Sequence, residues 1–150
     1  MPKDTIIIGG LAGIIGNVFK ELLTWGLYFT GLIKYTFVHF CAGIVVFPAR
    51  YIKDPFSIII GILIDYTLAV FFSLMLYFVM KKIGTDHWVL KGIGFGMLVF
   101  LTCYAVLRPT FSIIIESPPL IVLMYMIPNW VYGVITSWFI KKFGTYYKVN

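Results

Sequence analysis

Gly9-Gly10-Leu11-Ala12-Gly13-Ile14-Ile15-Gly16-Asn17-Val18-Phe19-Lys20-Glu21-Leu22-Leu23-Thr24-Trp25 decides how this chain is read. The first half is an apolar helix with a G-x-x-x-G step at Gly9 and Gly13, extended by Gly16. Small faces of this kind let helix backbones approach closely, which is how helices pack in lipid, where no hydrophobic effect separates helix from solvent. The second half sets Asn17, Lys20, Glu21 and Thr24 at i, i+3, i+4 and i+7, so they form one polar stripe that continues the glycine face. Lys or Glu deep in a membrane helix costs about 2.5–3.5 kcal/mol, against about 0.3–0.6 returned by each Leu, Ile, Phe or Val. The segment therefore needs partner helices. A competing reading breaks it into two short pieces near Asn17, with Lys20 at a water-filled cavity.

Working outward, 61% of the 150 residues are hydrophobic and 12% are charged. Soluble domains carry roughly 25% charged residues, so lipid is the solvent this composition fits. We expect one all-α membrane domain over 1–150, with spans at about 5–30, 56–80, 89–107 and 120–140 arranged as two helical hairpins. Lys3 before an apolar run imitates a signal peptide. However, Lys20-Glu21 stand where a small-residue cleavage site belongs, so the segment is read as a retained first span. The second span carries a single charge, Asp65. The third opens with Lys91, able to snorkel to the headgroups, and repeats the glycine step at Gly92 and Gly96. The fourth is interrupted at Pro128-Asn129. Between the first two, Tyr35 to Phe47 is apolar but too short for a core of roughly 30 Å. It reads as a re-entrant or interfacial helix at about 35–47, or as a fifth span with Lys34 buried. Phe111 to Ile115 should dip into the interface, with Arg108 and Glu116 tying that loop.

Lys81-Lys82-Ile83-Gly84-Thr85 and Lys141-Lys142-Phe143-Gly144-Thr145 match at a spacing of 60, and the glycine steps match at 83. This suggests two hairpins of one parallel design, with convergence as the competing explanation. The charge of +6 fits orientation and anionic lipid better than nucleic acid, because no long basic run is present. Lys3, Lys81, Lys82, Lys91, Lys141, Lys142 and Lys148 would lie inside, against Lys34, Arg50, Lys53 and Arg108 outside. That places both termini in the cytoplasm of a multi-pass cell-membrane protein, with Trp88 and Trp138 as inner anchors.

At about 1.5 Å per residue, Lys20, Asp65 and Asn129 reach similar depth. The candidate site is thus a midplane cluster of Asn17, Lys20, Glu21, Asp65 and Asn129, with Lys20 paired to Asp65 or Glu21 and the two asparagines completing the hydrogen bonds. It would relay protons, bind a small ion or a polar solute, lock the helices together, or dock another subunit. Cys41 and Cys103 read as small buried residues rather than a disulfide framework. His39 and His87 fall on opposite sides and make no metal or haem site. No phosphate loop, zinc-protease or nucleophile-elbow motif is present, so neither a cofactor nor catalysis is expected; Asp86-His87 reads as a helix cap. The expected partners are the lipid bilayer and either further copies of the chain or other membrane subunits.

Ala12-Gly13-Ile14-Ile15-Gly16 with Lys20 and Trp25, followed by Leu90-Lys91-Gly92-Ile93-Gly94-Phe95-Gly96, resembles a family of small uncharacterised four-span bacterial integral membrane proteins. The resemblance implies a four-span layout and no particular substrate. Signatures of small multidrug exporters, fluoride channels and four-span glutathione-transferase-like enzymes are lacking.

Overall fold

The computed structural model describes residues 5–106 and 118–144. Among them every regular element is helical: α1 (Thr5–Phe29), α2 (Phe37–Ala42), α3 (Pro55–Ile83), α4 (Trp88–Leu101) and α5 (Pro119–Phe143). A 3₁₀ turn at Ala49–Tyr51 precedes α3, and a π turn at Thr102–Val106 prolongs α4. α1, α3 and α5 are long and apolar enough to cross a membrane, and α4 is a shorter apolar helix. Their outward faces carry Leu11, Leu22, Leu63, Phe71, Leu90, Leu98 and Leu123, all exposed. In water such a surface would be an uncovered apolar coat; in lipid it is the solvated face. The chain is an all-α, multi-pass membrane protein. The expected dip at Phe111–Ile115 and the Arg108–Glu116 tie lie outside the described residues, as do Lys3, Thr145 and Lys148.

Local chemistry accounts for the boundaries. Asp54 caps α3, accepting from the Phe56 N–H at 2.9 Å, and Pro55 takes the first helical position, where no donor is needed. Gly84, at φ 82°, ends α3. Lys91 Nζ donates to the Gly84 carbonyl at 2.9 Å, so this lysine helps close the end of α3. His87 enters α4 in the left-handed region without a side-chain cap, so the Asp86-His87 cap does not form at that residue.

Two expected interruptions are absent. α1 runs unbroken through Asn17, whose amide is engaged across the bundle and so does not compete with its own helix. α5 likewise runs through Pro128. Proline cannot donate to the preceding turn, but Asn129 Nδ2 adds a 2.8 Å bond to the Tyr125 carbonyl one turn back.

The glycine steps pack each hairpin. A Cβ on Gly13 would come within 2.7 Å of the Ala69 carbonyl and 2.8 Å of Ser73 Cβ, and one on Gly9 would strike Leu74. In the second hairpin Gly92 meets Gly133 and Val134, and Gly96 meets Asn129 and Trp130. Adding 83 to the α1 positions and 60 to the α3 positions turns the first set of contacts into the second, so both hairpins share one helix–helix register. Gly16 turns the other way, onto Tyr132 and Thr136, and joins α1 to α5. Through side chains, Ser73 Oγ donates to the Gly9 carbonyl at 2.6 Å and Tyr132 Oη to the Ala69 carbonyl at 2.6 Å.

α1 packs on α3 and α5, and α5 packs on α4. α3 and α4, although joined by a short loop, pack far less closely than these pairs and meet through side chains such as Phe72 and Phe95. That seam would be the counterpart of α1–α5 under the shared hairpin design, and here it is much the looser of the two.

Candidate functional site

The polar residues of α1 and α3 converge in the bundle interior. Lys20 Nζ lies 2.6 Å from Asp65 Oδ1, and Asn17 Nδ2 donates to Asp65 Oδ2 at 2.7 Å. Both carboxylate oxygens of Asp65 are therefore held, and Cys41 Sγ stands 3.8 Å from Oδ1. The Lys20 ammonium also sits 4.9 Å from the centroid of the Phe37 ring, a cation–π contact made by α2. Glu21 is less well provided for. Lys20 Nζ is 3.4 Å from its Oε1 and the Trp25 indole is beside it, yet neither oxygen completes a hydrogen bond of good geometry. Asn17 Oδ1 likewise lacks a donor. All four of these polar residues are buried.

α2 is the element that closes this centre. Its six residues are all buried, and its Val38 carbonyl packs directly on Gly61, one turn before Asp65 in α3. At 1.5 Å per residue Gly61 lies about 9 Å along α3 from Pro55. Of the sequence readings for 35–47, a fifth span is excluded by the six-residue length of α2, which packs as a plug against the bundle interior and is shorter than expected. Thr36 starts it, donating its backbone N–H to His39 Nδ1 at 3.1 Å. Burial, and next the charge of Lys53, push the His39 imidazole down to about 4, so it enters this cap neutral.

Beside the ion pair lies a cavity of about 30 Å³. That holds about two waters, at roughly 10–15 Å³ each for water-sized sphere centres. Asn17, Lys20 and Asp65 form its polar wall, with Asn129 opposite and Cys103 and Tyr104 of the π turn to one side. Single π turns interrupt helices often at functional positions. Apolar layers flank the cavity along the bundle axis. Towards the lysine pairs these are Phe72, Val99 and Tyr132, then Leu76, Tyr77 and Met80; towards the plug they are Phe37, Phe40, Phe100 and Tyr125.

The structure thus brings Asn17, Lys20, Glu21 and Asp65 together and treats Asn129 differently. Asn129 shares the cavity wall, but its amide serves the Tyr125 carbonyl, so it does not complete the ion pair's hydrogen bonds as expected. Glu21 belongs to the charge cluster without lining the cavity. Sequence reading did not find Phe37, Cys103, Tyr104 or Tyr132. Tyr132 carried a usable signal, because a tyrosine hydroxyl within a span must find a partner. Phe37 carried none, since its role depends on where α2 docks. No group of three or more His, Cys, Asp or Glu suited to a metal ion occurs among the described residues.

No protein-family model, curated protein or solved structure matches this chain. The reading of the site rests on its own geometry.

Proposed function

We propose that this protein binds and transfers a small polar species, of the size of a proton, water or monovalent ion, at the Asn17–Lys20–Asp65 centre. The observation that carries this is that the ion pair forms part of the wall of an otherwise largely apolar cavity with room for water. A purely structural pair would be packed shut. Apolar layers on both sides of the centre would limit access to it, and the α2 plug is the element whose movement would widen that access. The basic residues support an orientation with both termini cytoplasmic, and the glycine faces support association with further copies or with other membrane subunits. The reading assigns the centre no catalytic chemistry and no cofactor.

A second reading is favoured by those same apolar layers: the charges lock α1 to α3 in an accessory subunit that moves nothing. Proteoliposomes separate the two. Carrier function predicts flux of protons or monovalent ions above protein-free vesicles, abolished by Lys20→Met together with Asp65→Leu. A folded protein that conducts none of these would establish the lock.

A further inference from the structure

Asp65 and Glu21 both neighbour Lys20, but their oxygens differ. Asp65 receives a hydrogen bond on each oxygen, from Lys20 and Asn17. Glu21, 7% exposed, receives none of good geometry on either. One ammonium and two carboxylates, counted as ions, leave a net charge of −1 inside the bundle, and such a charge is expensive in low dielectric. The groups facing Glu21 are Lys20 and the Trp25 indole from α1, Asp65 and Tyr66 from α3, and Cys41 from α2. None brings a second positive charge.

We propose that Glu21 is the proton-carrying group of the centre, while Asp65 is the permanent counter-ion of Lys20. This rests on the transfer reading above and names its cargo. Loading adds a proton from hydronium to a Glu21 carboxylate oxygen, forming an O–H bond and leaving water. The centre then becomes neutral, and the side chain no longer carries a charge that needs the donors Oε1 and Oε2 lack. Release reverses the step and restores the net charge of −1. Asp65 is poorly suited to the task, since protonating it would displace Lys20 or Asn17 from bonds of 2.6 and 2.7 Å.

The test is infrared titration of the protonated-carboxyl C=O stretch, using the full-length protein in lipid nanodiscs, alongside proton flux in proteoliposomes. The expected result is a titrating band that Glu21→Gln removes, that Glu21→Asp shifts in frequency, and that Asp65→Glu leaves in place. Flux in Glu21→Gln should fall to the protein-free background. Should one Glu21 variant fail to fold, the other still assigns the band. A band untouched by changes at Glu21, a band absent from the wild type at every pH, or one abolished by Na⁺ or K⁺ at constant pH would overturn the proposal. A Glu21 band without flux keeps the proton site and overturns the transfer reading. Flux without a Glu21 band does the opposite.

Discussion

The backbone carbonyl of Val38 in α2 occupies the place where a side chain on Gly61 of α3 would begin. The plug can therefore reach the ion pair only because position 61 has no Cβ. Gly61→Ala should lever α2 off α3 at a cost of about 1–3 kcal/mol, the usual range for overpacking. Gly26→Ala and Gly94→Ala, where nothing lies within 4 Å of the added Cβ, should instead be neutral or gain up to about 1 kcal/mol from helix propensity. Thermal unfolding in one detergent compares the three, and equal effects would remove α2 from its assigned place.

The Lys20–Asp65 pair makes a non-additive prediction. Lys20→Met alone leaves buried carboxylates without a counter-ion and should destabilise by about 3–5 kcal/mol, while Asp65→Leu leaves Lys20 with Glu21 at 3.4 Å and should cost less. The double substitution should recover part of that loss, because only Glu21 then remains in the centre and it can stay protonated and neutral. A double-mutant cycle on unfolding in detergent measures it, and additive losses would mean the two side chains do not interact.

His39 should make the plug sensitive to acid. Its neutral Nδ1 accepts from Thr36, and burial holds it at about 4 in the folded protein against about 6.5 when exposed. Its folded value is the lower one, so the unfolded chain binds the proton first. Stability from this group is complete above about pH 6.5, falls as pH drops from there towards 4, and levels off below. His39→Asn keeps an acceptor and cannot titrate. The melting temperature of the wild type should decline across that window relative to this variant's, and parallel pH profiles would refute the assignment.

Filling the cavity should stop transfer without unfolding the bundle. Cys103 lines it and is half-buried. Cys103→Leu places extra carbons in the space for about two waters, so stability should change by less than about 1.5 kcal/mol while proteoliposome flux falls several-fold. Unaltered flux would put the pathway elsewhere.

Much of this arrangement was legible in the residues. Composition and span length named the solvent, because about 20 apolar residues per helix have one use. Depth was legible too: each residue advances a helix by about 1.5 Å, so counting inward put Lys20 and Asp65 level, and their pairing follows from how costly each charge is alone. The glycine steps announced close packing, and their spacing of 83, with the spacing of 60 between the lysine pairs, recurs as one contact register in both hairpins. Azimuth and docking depend on every helix at once and were not legible. That is why Asn129, at the right depth, turned out to serve its own helix, and why Gly61 passed unremarked until the Val38 carbonyl stood against it.

The sequence by itself determined a four-span helical membrane protein whose first helix needs a counter-charge. Those properties are sums over local terms, namely transfer energy, helical period and charge. Only the tertiary structure decided that Asp65 is satisfied twice while Glu21 is not, that a six-residue helix plugs the centre, and that space for water remains beside the pair. Those are properties of directions and distances between segments far apart in the chain, which no local term contains.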